Sequence, residues 1–501
     1  MLAAHPPAIA RVERVPAWAW VVLLAVVAFA LRAVLLTDSL AGDELFARYD
    51  VLDGGPADVV DRLREGSSYS PEVSPPLYFL LAWAAHAVAP VDEALRAPSV
   101  IASVVTVWLV FALGRRVAGP GPGLVAAAIW TFSPFAIFYG SEARPYALLA
   151  ATVAGAVLAL LVALERGGTW RWVVAGALAS AAVYTHYTGV TVIIAIAAWA
   201  FVAHPPARRA IVATYVLAAV SFLPWVGELR TDPLYSYDKF APKTVADVLE
   251  VFARALPGHP LILLRTIPGL PALGLFAVAA ASVCVAALWR LGPRRAAWAR
   301  LLRGPSGAVL VAALATPVSL GLFSLADRYT VFFPRSLTPS LPAAIVILAV
   351  AAWSVRAGWW RAVAVSALLA PLVFGAVRTL DPDNRRPDYA RIAAYLDRVA
   401  KPGDLVVHSM FGFKGTAIDQ VLVRSMDHPL AQEFLGLDDA RIWERASRIA
   451  PGNRVYLLVV REDPLVRARP PASTGLVEVG RGPTAPGWGP VDVLVYEHPR
   501  Q

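Results

Sequence analysis

Charge and cysteine are what this chain has least of. Only 16% of its 501 residues are charged, against 58% hydrophobic. So few charges cannot cover the surface of a water-soluble protein of this length. A single cysteine, Cys284, excludes any disulfide framework within the chain and leaves the compartment unmarked by cysteine usage. Acidic residues are in deficit as well, giving a formal net charge of +9 and a pI near 9.8. The basic residues fall in short clusters between apolar runs, with no aromatic-interleaved groove, which excludes nucleic acid as the partner. No small-residue cleavage site follows the first apolar run, so Arg11 and Arg14 precede a retained signal-anchor. The two halves show no internal repeat, which counts against a transporter built from inverted repeats.

What the chain has in abundance is apolar sequence in bilayer-length pieces. Its mean hydropathy is +0.58. Runs recur at Trp18–Leu36, Leu95–Leu113, Gly123–Tyr139, Ala143–Leu164, Trp172–Thr185, Val190–Ala203, Ala210–Trp225, Leu270–Trp289, Gly307–Leu325, Leu337–Val355 and Trp359–Val377. A helix needs about 20 residues to cross the hydrocarbon core, so the shorter run Pro76–Ala89 reads as interfacial. With the N-terminus cytoplasmic, one face collects Arg115-Arg116, Arg166 with Arg171, Arg208-Arg209, the run Arg290, Arg294, Arg295, Arg300, Arg303, and Arg356 with Arg361. That is a positive-inside pattern. Residues 1–380 are therefore expected to form an α-helical polytopic membrane domain with about eleven transmembrane helices. Residues 381–501 turn charged and only locally apolar. They predict a small C-terminal extracytoplasmic α/β domain, with an amphipathic helix over Pro387–Ala400, a second at Ala440–Ile449, and buried strands near Asp404–His408, Arg454–Val460 and Val491–Tyr496.

The same topology puts Asp43-Glu44, Ser141–Tyr146, His186-Tyr187 and the stretch from Arg328 to Arg335 on the outer face. Asp43-Glu44 follows the first span; Asp43 there is either an N-cap or a general base tuned by a water-poor cleft. Ser74-Pro75-Pro76-Leu77-Tyr78 opens the interfacial helix, and Arg96 at the next span's edge either snorkels or pairs with an acid. Glu142 and Arg144, followed by Pro145-Tyr146, form either a salt bridge or part of a pocket in which two carboxylates hold a sugar, an acceptor or a divalent cation. His186-Tyr187 sits in an outer turn. Arg328 and Arg335 precede a late span, where a planar guanidinium suits a fixed phosphate better than lysine does. General snorkelling among lipid headgroups is the competing account of both arginines.

In order and spacing these pieces resemble the membrane-embedded GT-C glycosyltransferases, in particular glycosyltransferase family 39, the dolichyl-phosphate-mannose protein mannosyltransferase-like family in its bacterial branch, with its aminoarabinose transferase relatives. The resemblance runs from Asp43-Glu44 through Ser74-Pro75-Pro76-Leu77-Tyr78, Leu95-Arg96-Ala97-Pro98-Ser99, Arg115-Arg116 and Ser141–Tyr146 to Thr185-His186-Tyr187. It covers roughly the first 230 residues well and the late spans loosely. It implies that Asp43, with Glu44 beside it, is the catalytic carboxylate, and that the donor is a sugar carried on a polyprenyl phosphate. It further implies inverting transfer by direct attack of an acceptor hydroxyl. Arg335, with Arg328 as rival, resembles the arginine that holds the lipid phosphate; Ser336 stands where relatives often have Tyr. Glu142, Arg144, Tyr146, His186, Tyr187 and Arg96 are then the substrate-binding candidates. Ser74 stands where eukaryotic relatives show His, and their β-trefoil domain is missing, so glycolipid, cell-wall glycan and protein all stay open as acceptors.

The expectation is thus a multi-pass cell-membrane transferase whose site gathers on the outer face, its metal requirement open and a divalent cation among the options. A transporter or flippase of lipid-linked sugars is the alternative. It would need polar residues along both halves of a path, whereas the inner halves of the spans are mostly Ala, Val and Leu.

Overall fold

Each of the eleven expected apolar runs is helical in a computed structural model, which describes residues 16–48, 52, 54–65, 74–228, 244–326, 332–408, 433–436, 442–460, 470–487 and 490–499. Among them, seven helices are long and apolar enough to cross a membrane. Ala17–Ala33 and Gly189–Ala203 are shorter apolar helices. So is Leu77–Val88, which spans only about 18 Å at 1.5 Å per residue, short of the roughly 30 Å hydrocarbon core. The chain divides into two compact units. The first comprises Met1–Leu36, Val59–Arg64 and Val73–Thr379; the second comprises Thr37–Asp58, Glu65–Glu72 and Leu380–Gln501. The first loop thus groups with the C-terminal residues, not with the spans.

In the first unit, helix Tyr146–Arg166 packs against Ala97–Ala118, Thr169–Thr185 and Gly189–Ala203. Its Ala150, Ala154, Gly155 and Ala156 let neighbours approach closely, the usual means of association where apolar burial gives no drive. Helices Ala97–Ala118 and Pro120–Phe132 meet at glycines: a Cβ on Gly114 would lie 2.8 Å from the Gly123 Cα.

Two expected helices are interrupted. The run Gly123–Tyr139 breaks at Ser133, which is extended (φ −64°, ψ 121°) because the Pro134 ring excludes the helical region for the residue before it. Pro134 has no N–H to give the Trp130 carbonyl. Ser133 then caps the helix Pro134–Tyr139 through its side chain, 3.3 Å from the Ala136 amide. The run Leu337–Val355 begins instead as a 3₁₀ turn, Pro334–Ser340, ahead of helix Leu341–Ser354, with Pro339 and Pro342 at the junction.

Arg32 fills the first break. It lies inside helix Ala17–Ala33 and is fully buried. Its Nε donates to Ser103 Oγ at 2.7 Å, Nη1 to the Ala28 and Thr131 carbonyls at 2.9 and 3.4 Å, and Nη2 to the Ala136 and Trp130 carbonyls at 3.1 and 3.5 Å. A carbonyl orphaned by Pro134 is thereby answered by a side chain. Gly140 makes room for it, since a Cβ there would sit 2.6 Å from Arg32 Nε.

In the second unit, five strands form one sheet in the order β2-β1-β3-β5-β4, with β1 Leu405–His408, β2 Glu433–Gly436, β3 Arg454–Val460, β4 Val477–Arg481 and β5 Val491–Glu497. β2, β1 and β3 run parallel, whereas β5 is antiparallel to β3 and β4. Val455, Tyr456, Leu457 and Leu458 are all buried, so β3 is covered on both faces, which explains its unbroken apolar run. One face packs on Ala446 of helix Ile442–Ser447. On the other, Tyr456 meets Tyr395 of helix Tyr389–Val399 edge-to-face at 6.3 Å, and its hydroxyl lies 3.2 Å from the Val399 carbonyl. Burial and the nearby Asp404 carboxylate push the Tyr456 phenol up, so it remains a neutral hydroxyl. Asp404 itself accepts from the Lys401 and Arg454 amides, tying the entries of β1 and β3 together.

Replacing Arg32 with Ala is expected to lower stability by about 3 kcal/mol, with Lys recovering only part because it cannot match a planar fork. Thermal unfolding of the detergent-purified protein measures this, and an unchanged midpoint for Arg32→Ala would contradict it.

Candidate active site

Asp43 and Glu44 begin the short helix Asp43–Phe46 in the second unit, after Gly42 (φ 58°), whose positive angle favours glycine. Adjacent residues on a helix point apart, and these two differ sharply in burial. Glu44 is fully buried, and Asp43 is half-buried. Glu44 Oε2 accepts from Arg386 Nε at 2.9 Å and from the Ala41 amide at 3.3 Å. Both partners of this ion pair are almost wholly enclosed, with side chains 0% and 3% exposed. Next to it Arg385 donates from Nε to Asp38 Oδ1 at 2.9 Å, and its Nη2 bonds the same oxygen. Two arginines that follow the last long helix thus anchor the loop that carries Asp43. Sequence reading missed both. The signal was faint: two acids in one loop and two adjacent arginines more than 340 positions later.

In the first unit, a hydrogen-bond cluster holds the segment Ser141–Tyr146. Tyr78 Oη is 3.0 Å from the Leu95 carbonyl and 3.4 Å from that of Glu142. Ser99 Oγ is 3.1 Å from both Tyr78 Oη and the Arg144 carbonyl. Ser74, just ahead of that helix, is buried. The Arg144 guanidinium lies over the Phe79 ring at 5.9 Å. Arg96 is buried and turns back to the end of the first span, donating from Nη1 to the Leu36 and Leu35 carbonyls at 2.6 and 3.3 Å. It thereby ties down the turn that follows helix Ala17–Ala33.

Aromatic rings connect the next candidates. Tyr139 packs edge-to-face on Tyr146 at 4.6 Å, and Tyr146 lies 5.7 Å from the His186 ring. His186 Nδ1 accepts from the Thr188 amide at 3.2 Å, so Nε2 carries the proton of the neutral ring. Tyr187 accepts from the Trp225 indole N–H at 3.0 Å, and the Arg64 guanidinium lies 5.6 Å from that indole's centre. Arg335 is half-buried on the 3₁₀ turn Pro334–Ser340, over the Phe333 ring at 5.7 Å. That turn packs against helices Tyr146–Arg166, Gly189–Ala203 and Pro305–Ala326. Its rival Arg328 lies outside the described residues.

Beyond Arg335 the same turn contributes Leu337 and Ser340 to the wall of an apolar groove of about 980 Å³. The other walls come from helices Val245–Arg254, Leu270–Leu291, Pro305–Ala326 and Leu341–Ser354, and Cys284 faces it. Glu250, ion-paired to Arg254, is its acidic lining residue. Among the described residues, no three His, Cys, Asp or Glu side chains gather as a metal-ligand set.

Residues 73–227 match the family model described as dolichyl-phosphate-mannose-protein mannosyltransferase. The fold is similar to that of ArnT from Cupriavidus metallidurans. The crystal structure bound to undecaprenyl phosphate is 14% identical, with a TM-score of 0.53 and coverage of 95% of this chain and 98% of that one. The apo crystal structure is 14% identical, with a TM-score of 0.54 and coverage of 96% and 98%. The apo oligosaccharyltransferase of Archaeoglobus fulgidus is also similar, at 13% identity and a TM-score of 0.50, covering 88% and 69%. A search of curated protein sequences finds no match. The fold is that of the GT-C class. Within it, residues 73–227 are the protein-mannosyltransferase-like part.

Glu44→Gln and Arg386→Gln are each expected to cost about 3 kcal/mol, because each strands one buried charge. The double variant Glu44→Leu/Arg386→Met should lose less than either single. Limited proteolysis of the C-terminal unit, read beside thermal unfolding, tests the order, and additive losses would contradict a direct pair.

Proposed function

We propose that the protein transfers a sugar from a polyprenyl phosphate to an acceptor hydroxyl on the outer face of the membrane. The observation that carries this reading is the juxtaposition in the first unit of a long apolar groove with the arginine-bearing turn that forms part of its wall. An isoprenoid tail fits an apolar channel, and a guanidinium suits the phosphate at its head. The family match over residues 73–227 and the fold shared with an undecaprenyl-phosphate-bound protein support it.

In this reading the acceptor oxygen attacks the anomeric carbon as the bond from that carbon to the phosphate oxygen breaks. The configuration inverts. Asp43, half-exposed on a loop whose neighbour Glu44 is locked to Arg386, takes the acceptor's proton. The lipid phosphate leaves with the bonding pair, and Arg335 offsets the charge that builds on it. Glu44 positions the Asp43 turn, and Arg96 positions the end of the first span. Glu142, Arg144, Tyr146, His186 and Tyr187 contact the sugar or acceptor. The first loop and the C-terminal unit are extracytoplasmic and the N-terminus is cytoplasmic. The grouping of Thr37–Asp58 and Leu380–Gln501 into one compact unit supports placing both on the same side.

In reconstituted membranes Asp43→Asn should lower turnover by about 10²-fold or more while expression is preserved. Turnover near wild type would reject Asp43 as the base. The donor site has its own probe, because Cys284 is the chain's single cysteine and faces the groove. Added polyprenyl phosphate should slow alkylation of Cys284 by a lipophilic maleimide, and Arg335→Ala should weaken that protection about ten-fold. Equal alkylation rates with and without the lipid would remove the groove from the donor site. Mass spectrometry of envelope glycans and lipids from a deletion strain identifies the sugar and the acceptor.

A further inference from the structure

We infer that the loops at the far ends of helices Leu270–Leu291 and Leu341–Ser354 form a built docking surface for anionic phospholipid headgroups. This rests on the membrane setting of the first unit and is independent of the proposed transfer reaction. The chain from Val285 to Gly304 and from Ala352 to Val365 contains no Asp or Glu. In the first of these loops Arg290, Arg294, Arg295, Arg300 and Arg303 are all exposed, and in the second Arg356 is exposed. None of the six has an acidic partner among the described residues. An Arg290 Nη1 bond to the Ser354 carbonyl joins the two loops, so their charges belong to one surface.

The second observation is aromatic. Trp289 is 85% exposed, and Trp359 and Trp360 are stacked at 3.6 Å while each stays about half exposed or more. Water is a poor setting for three bare indoles, and the headgroup layer is where tryptophan is enriched. The short helix Arg295–Arg303 is held at that level by two indole bonds. Trp298 donates to the Gly292 carbonyl at 2.9 Å, and Trp199 donates to the Leu302 carbonyl at 2.6 Å. Arginines interleaved with tryptophans, on a helix fixed against the bundle, match a layer that is apolar below and negatively charged above. A solvated basic surface would have no use for the indoles. A neutral headgroup layer would leave the arginines without counter-charge.

The test uses the full-length protein, purified in detergent and stripped of lipid, then titrated with phosphatidylglycerol or phosphatidylcholine. Native mass spectrometry reads lipid retained, and thermal unfolding reads the shift in midpoint. Each arginine near a negative surface strengthens attraction roughly five-fold, so wild type should retain phosphatidylglycerol at least about ten-fold over phosphatidylcholine. That preference should shrink at high salt, where the Debye length falls from about 10 Å at 0.1 M to about 3 Å at 1 M. The combined variant Arg294→Gln, Arg295→Gln, Arg300→Gln, Arg303→Gln should lose the preference, and the same four changes to Lys should keep it. Equal retention of both lipids by wild type would overturn the proposal without recourse to any variant, and would leave the arginines as a topological signal only. Inorganic phosphate raising the midpoint as far as phosphatidylglycerol would overturn the lipid as the source of the anion. A glutamine variant that keeps the wild-type preference would move the surface elsewhere.

Discussion

The Arg32 guanidinium, buried among helices that offer it only carbonyls and one hydroxyl, is the interaction on which the first unit turns. A charge at that depth is costly, and what makes it tolerable is the number and planarity of its acceptors: four carbonyls and the Ser103 hydroxyl. The break at Ser133–Pro134 creates part of that acceptor set, and the guanidinium in turn stabilises the break. Helix Pro134–Tyr139 is thereby fixed, and with it the segment Ser141–Tyr146 that bears Glu142, Arg144 and Tyr146. Irregular backbone at membrane depth is permitted only where protein satisfies it, and here one side chain does most of that.

The second unit uses the same device in a different setting. Arg385 and Arg386 reach back to Asp38 and Glu44, converting an exposed loop into part of a folded body. Such pairs add little net stability when fully buried, since desolvation offsets attraction. Their effect is specificity of place: only one arrangement of the loop leaves no charge stranded. The half-exposed Asp43 inherits a defined position from its buried neighbour.

Much of the helical architecture was legible from hydropathy, because a lipid-facing helix must be apolar over its whole length and few other constraints leave that mark. The short helix Leu77–Val88, the strands β1 and β3, and helix Tyr389–Val399 were legible for related reasons, since burial on one or both faces writes a period into the sequence. The interruption at Ser133–Pro134 was not read, although Pro134 was visible, because proline also sits at ordinary helix starts. Arg32 was passed over as one polar residue in an otherwise apolar run. Arg96 had been read as a snorkelling or ion-paired residue at a span's edge, and its bonds to the carbonyls of Leu35 and Leu36 reach the turn after helix Ala17–Ala33, some 60 positions earlier.

By itself the sequence determined that this chain carries apolar helices of bilayer length, roughly where most of them lie, and which acids and arginines flank them. Those properties depend on local composition, which water and lipid read residue by residue. Only tertiary structure decided that Glu44 is enclosed while Asp43 is not, that Arg386 is its partner, and that Leu337 and Ser340 line a groove with Cys284. Each of these pairs residues far apart in the chain. Contacts over such distances are set by how whole helices pack, and packing depends on shape and on the satisfaction of buried polar atoms, which no short window of sequence records.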